Sequence, residues 1–431
     1  MYLRTPKRYS GKRRGKLINL RWLWLYLIAP LIIIPAAIIW QYRAPLSAQI
    51  ADWTARNIRI EVNPPTPTAT IPATDLRDRF VSFLAGGNLR NAIMTLDSLT
   101  DTTPNDVESH VMLAQMIMFR GDPDDPRRMQ AALDAAYGAL NADPEAPEGW
   151  VMVAMALNSA GRPQEALPYL LRARDLDNRS PMMLAVLAAT YDSLDFVDRA
   201  SRLAEEAIEA ASAESPVNVP ALAYAYVVRG TIAARTSGQQ AIRDYEEAWR
   251  VALTEPSMPV GYIAQWLFSY YFNTTDVTRL VQILNTAAER DRDDPINPYL
   301  LGRVYLKNGD PNRARTNFER CRDLDPDQVK CLRWLGTLLY RDQNYTRAAE
   351  LGQRAVDLGS TDPGAYLVAG LSYAFSNRCA QAVPLLQAGL NMTRDPTLVT
   401  QFQEGMRVCL SSGALPLSGT PTGVPAGDGS Q

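Results

Sequence analysis

One histidine, four cysteines and one dense acidic run are the residues of this chain whose types could do chemistry. A catalytic site holds several groups at fixed mutual geometry. His110 is the single imidazole, and no nucleophile elbow, Walker loop or glycine-rich strand-to-helix element is present to assemble such a site. Cys321, Cys331, Cys379 and Cys409 include no C-x-x-C pair, and His110 is far from them in the chain, so zinc fails on spacing. Residues 122–126, DPDDP, are acidic enough for calcium. They lack the alternating twelve-residue ligand order and its closing glutamate, and read instead as a solvated loop between helices. No catalytic, cofactor or metal site is expected, and the chain is not expected to be an enzyme.

The elements behind these residues show themselves by repetition. Gly302 lies in an apolar helical run, where glycine costs about 1 kcal/mol relative to alanine. It recurs 34 residues on as Gly336 and again as Gly370. Tyr305, Leu339 and Tyr373 keep the same step, as do Ala314, Ala348 and Ala382. Three coincident columns at this period indicate helix-turn-helix units stacked into a solenoid. Small residues in such columns let paired helices approach closely while large ones fill the remaining volume. Gly302 is thus expected to be a packing glycine.

Charge is unevenly spread. Residues 1–43 carry nine Lys or Arg and no acid, which leaves 35 bases against 46 acids in the remainder. An acidic body argues against nucleic acid as a partner. The basic stretch (residues 1–21) is followed by nineteen uncharged residues, Trp22 to Trp40, long enough at about 1.5 Å per residue to cross a hydrocarbon core. Trp22, Trp24, Tyr26, Trp40 and Tyr42 sit where interfacial anchors belong. The segment therefore predicts a transmembrane helix (22–40) rather than a cleaved signal peptide. Its flanking bases predict a cytoplasmic N-terminus, an extracytoplasmic body and contact with membrane lipid. Residues 41–72 then form a juxtamembrane segment, helix or strand, and a spacer whose four prolines exclude both. Residues 413–431 have the composition of a disordered tail.

Between linker and tail, residues 73–412 resemble the tetratricopeptide repeat family. The residues that carry the resemblance are Leu301, Gly302, Tyr305, Ala314, Phe318, Cys321 and Pro326 in the unit starting at Pro295. Units starting at Val329, Pro363, Pro147 and Pro181 match well, and four further units match weakly. With the predicted anchor, the chain resembles membrane-anchored bacterial members of the family. The resemblance implies an all-α fold: a right-handed α-solenoid of about nine helix pairs and a closing helix, preceded by the transmembrane helix. Placed on this scheme, Cys321 ends one second helix and Cys331 begins the next first helix, while Cys379 begins a second helix that the closing helix of Cys409 packs on. Pairing of Cys321 with Cys331 and Cys379 with Cys409 is expected, among three possible connectivities.

In that family, first-helix positions 2, 5, 9 and 12 line a concave groove. Carried onto this chain they give Tyr226, Tyr262, Gln265, Phe272, Tyr299, Arg303, Lys330, Arg333 and Tyr340. Aromatic side chains supply amphipathic contact area at small entropic cost, and the cations can accept a carboxylate. The expected function is a membrane-tethered extracytoplasmic scaffold that binds a protein or peptide partner through this groove, without cofactor. A structural subunit of a cell-envelope assembly and a regulatory subunit of a partner enzyme are the alternatives.

Overall fold

A computed structural model describes residues 71–411 apart from 257 and 273–275. Nineteen α-helices make up the described residues. The first pairs are α1 (Ala73–Ala85) with α2 (Leu89–Thr102), α3 (Val107–Met118) with α4 (Pro126–Ala142), and α5 (Pro147–Ser159) with α6 (Pro163–Leu176). Then come α7 (Pro181–Ser193) with α8 (Val197–Ala213), α9 (Val219–Ala233) with α10 (Gly238–Ala252), and α11 (Gly261–Tyr271) with α12 (Val277–Arg290). The last pairs are α13 (Ile296–Lys307) with α14 (Pro311–Leu324), α15 (Val329–Arg341) with α16 (Tyr345–Asp357), and α17 (Pro363–Phe375) with α18 (Cys379–Met392), closed by α19 (Pro396–Ser411). Each first helix packs on its own second helix and on neighbouring first helices, which makes an all-α solenoid.

Local chemistry sets where these helices begin and end. Asp106, Asp125, Asn218, Asp276, Asp310 and Asp362 accept a first-turn amide at their helices' N-caps. Pro147, Pro163, Pro181, Pro311 and Pro363 occupy the first helical position, where no amide partner is needed. After five of the first helices the chain turns through a left-handed residue: Gly161, Asp195, Gly309, Gln343 and Asn377 all have φ between 60° and 78°.

The periodic glycines are packing glycines. A Cβ on Gly302 would lie 2.5 Å from the Phe318 ring, and one on Gly370 would lie 2.6 Å from Leu386. Gly336 leaves 3.0 Å to Val368 of the next pair. Ala166, Ala173, Ala200, Ala207, Ala314, Ala348 and Ala382 are fully buried between helices. The structure joins Cys321 to Cys331, linking α14 to α15, and Cys379 to Cys409, linking α18 to α19.

The solenoid also meets itself. The Arg292 amide donates to Gly87 O (3.1 Å), and the Tyr262 amide donates to Phe119 O (3.3 Å). Arg120 donates from Nε to Asp291 (2.8 Å) and from Nη2 to Asp293 (3.0 Å), and Arg90 reaches Leu324 O at 2.9 Å. Gly87 is required at this seam: its φ is +68°, and a Cβ would press on the carbonyls of Glu289 and Arg290 at 3.1 Å. Loops from the first two pairs thus lie against α11, the α12–α13 turn and the start of α15.

The membrane expectations are corrected. Among the described residues, no helix is long and apolar enough to cross a membrane. The expected span, Trp22 to Trp40, lies outside the described residues, as do the basic N-terminus, the linker up to residue 70 and the tail from residue 412. Membrane anchoring, lipid contact through an N-terminal helix and an inner-membrane location with the body outside do not carry forward.

Candidate partner-binding groove

The nine residues expected on the concave face divide into three groups. Tyr262, Gln265 and Lys330 are occupied by the chain itself. The Phe119 ring, 3% exposed, stands 5.6 Å from Tyr262 and 5.9 Å from Tyr224. Gln265 Nε2 donates to Gly121 O (3.1 Å), and Lys330 Nζ donates to Asp122 (2.6 Å) and Asp124 (2.8 Å). Burial works against the Lys330 ammonium, but its bonds to Asp122 and Asp124 outweigh that and hold its pKa above the ordinary value. The DPDDP loop is therefore docked through Asp122 and Asp124, while Pro123, Asp124 and Pro126 stay exposed to solvent. Asp122 is 8% exposed, and its partner lysine is 208 residues away.

Tyr226, Phe272, Tyr299 and Arg303 form the second group, side chains engaged by cation–aromatic contacts or hydrogen bonds within the chain. Arg229 lies over Tyr226 at 5.2 Å. Tyr299 is buried against Phe318, and its hydroxyl accepts from Arg303 (3.0 Å). The Arg303 guanidinium sits 5.1 Å from the Phe272 ring centre and 4.4 Å from that of Trp334, and Lys307 covers Phe272 at 4.5 Å. Such cation–aromatic contacts are worth about 0.5–1 kcal/mol each when exposed and more when desolvated.

Arg333 and Tyr340, the third group, line a cavity of about 490 Å³ bounded by α15, α17 and α19. Arg333 stacks on Trp334 at 3.8 Å, with Nε 3.1 Å from Asp362 Oδ2. Tyr340 packs near Tyr345 and Phe375 with ring centres 5.6 and 6.0 Å away. Burial lowers the Arg333 pKa, Asp362 opposes that, and Arg303 adds to the lowering.

Trp334, Leu367, Leu371, Phe375 and Leu398 also line this cavity and were not among the expected residues. Trp334 and Phe375 stand at repeat positions 6 and 13, outside the four positions that the resemblance points to. The signal available for Phe375 was a large aromatic at a helix end where no column calls for one; it is 43% exposed. Leu398 belongs to α19, which breaks the 34-residue period.

Among the described residues no group of three or more His, Cys, Asp or Glu could hold a metal ion. His110 packs over Gly138, with Nε2 3.2 Å from Pro104 O.

The tetratricopeptide repeat family model matches residues 121–181 and 299–363. Among solved structures, the chain is similar to one in the APC/C hetero-tetramer Cut9–Hcn1, with TM-score 0.53 and 15% identity over 74% of this chain. That likeness shows the fold, and the chain spans 59% of its relative's length. It is also similar to the human IFIT1 dimer with m7Gppp-AAAA (TM-score 0.44, 13% identity, 74% of this chain and 82% of that one). A third likeness is to YrrB, described as a TPR protein with an unusual peptide-binding site (TM-score 0.30, 15% identity, 46% and 97%). No curated protein matches the sequence. The family match sets the chain beside tetratricopeptide repeat proteins over those residues.

Proposed function

We propose that the chain is a repeat scaffold that holds an extended segment of a protein partner in the concave groove between α15, α17 and α19. The observation that carries this is the cavity of about 490 Å³ lined by Trp334, Tyr340 and a substantially exposed Phe375. Large apolar side chains left open in a concavity mark interaction sites, and Trp, Tyr and Arg dominate binding hot spots. Tyr262, Gln265 and Lys330 do not belong to this free surface, because residues 119–124 fill their part of the groove. Val217, also exposed, lines a cavity of about 510 Å³, but no aromatic side chain lines that one.

The test is selection of binding peptides from a degenerate library on the full chain, followed by titration against Phe375→Ser and Tyr340→Ala. Truncating a hot spot should weaken binding by about 1–3 kcal/mol with helix content unchanged. Peptides that bind both variants as tightly as the parent would move the site elsewhere.

A further inference from the structure

The two cations around Trp334, of which Arg333 lines the cavity, have fewer counter-charges than their setting calls for. Arg303 and Arg333 both press on Trp334, at 4.4 and 3.8 Å. The side-chain hydrogen bond of Arg303 goes to a neutral hydroxyl, that of Tyr299. Arg333 has Asp362 beside it, but Nε is buried and not aligned to donate, and that carboxylate is half exposed. Asp362 also caps α17, accepting from the Gly364 amide at 2.7 Å. The guanidinium lies directly against Gly364, where a Cβ would have no room. It therefore sits at the N-terminal end of α17, whose exposed amides already make that end positive. Asp362 is thus the one carboxylate set against Arg333 and this helix N-terminus, and Glu404, the acid lining the cavity from α19, is paired with Arg407.

The same helix shows how its face treats an acid. Lys330, one turn before Arg333 on α15, seats the carboxylates of Asp122 and Asp124. Residues three apart on a helix share a face. The acidic loop satisfies the first cation of that face and turns away before the second.

Resting on the function proposed above, we infer that the segment held in the groove is acidic: a carboxylate meets Arg333 and Arg303 around Trp334, and an apolar side chain follows into the cavity at Phe375. A guanidinium pairs with a carboxylate through parallel hydrogen bonds. Leu367, Leu371 and Leu398 offer the apolar part its surface. The acid surplus of the body, 46 acids against 35 bases beyond residue 43, repels a long polyanion such as nucleic acid more strongly than a short acidic stretch.

The experiment reads the sequences of the selected peptides and their affinity for the full chain, for Arg333→Gln and, as a second variant, for Arg303→Gln. Residues 1–43 carry nine bases and attract acid non-specifically, so the comparison with each variant isolates the groove. Enrichment of Asp or Glu within a few positions of a large apolar residue is expected, with affinity falling roughly tenfold or more in either variant. The difference from the parent should shrink as salt rises to about 0.5 M. Neutral or basic peptides that Phe375→Ser weakens but Arg333→Gln does not would overturn the charge assignment and leave the groove standing. Selection of no peptide weakened by Phe375→Ser would overturn both. Tighter binding of a single-stranded oligonucleotide, lost in Arg333→Gln, would replace the acidic segment by a nucleic acid.

Discussion

Replacing Arg120 by alanine should open the seam at which the solenoid meets itself. Arg120 makes three hydrogen bonds there: Nε to Asp291 (2.8 Å), and Nη2 to Asp291 (3.3 Å) and to Asp293 (3.0 Å). Asp291 is 2% exposed, so its charge would be left buried without its principal partner. Breaking a buried pair from one side costs about 3–5 kcal/mol. Protonation limits that loss, because burial, and then Asp294, already push the Asp291 carboxyl well above its usual 3.8. The cost should therefore be largest at neutral pH and shrink in mild acid. Two amides report the seam directly: Tyr262, which donates to Phe119 O, and Arg292, which donates to Gly87 O. At tenfold per 1.4 kcal/mol, their hydrogen exchange in Arg120→Ala should quicken roughly a hundredfold or more at neutral pH. Amides of α5 and α7 should keep their rates. Unchanged protection at Tyr262 and Arg292 would refute the reasoning, because the ion pair would then not be what holds the contact.

Further outcomes follow from other parts of the molecule. Asp291 and Asp294 both have raised pKa values in the folded state, so the closed seam gains stability as pH falls from their raised values towards 3.8 and loses it as pH rises through them. Asp293 is shifted the opposite way and acts against the seam only below that window; intrinsic-rate-corrected protection of Arg292 should thus rise between neutral pH and mild acid, and a fall would contradict the assignment. Gly302→Val should lower stability by about 1–3 kcal/mol through collision with Phe318, which is fully buried; an unchanged thermal midpoint would show that the ring can yield. Gln343 has φ 62°, so Gln343→Gly should raise the urea midpoint by an amount worth about 1 kcal/mol. Replacing Cys379 and Cys409 together by serine removes a link across 30 residues; a loss of about 3–4 kcal/mol is expected in denaturant unfolding, and no loss would show that α19 is held by packing alone.

The helix pairs were legible because their cause is local and recurs. Gly302 needs Phe318 only sixteen residues away, Gly370 needs Leu386 at the same spacing, and the glycine column itself returns with each 34-residue step. Caps such as Asp310 and Asp362 act within their own turn. The seam has no such local cause. Whether Asp122 meets Lys330 depends on rotation accumulated over the intervening helix pairs, a small angle at each step that no single residue states. The acidic character of the α3–α4 loop was visible in the sequence, but its destination was not. The cavity had the same limit. Trp334 and Phe375 become neighbours only when α15 and α17 stack and α19 crosses their end, and α19 carries none of the periodic columns.

The central claim is that the concave face of the last helix pairs holds the partner. A hydrogen-exchange footprint of the full chain, with and without a saturating library-selected peptide, tests it most directly. Slower exchange in the last turn of α15 around Tyr340, the last turn of α17 around Phe375, and α19 from Leu398 to Glu404 is the expected result. Slowing confined to the outer helices α14, α16 and α18, with those three segments unchanged, would contradict the account.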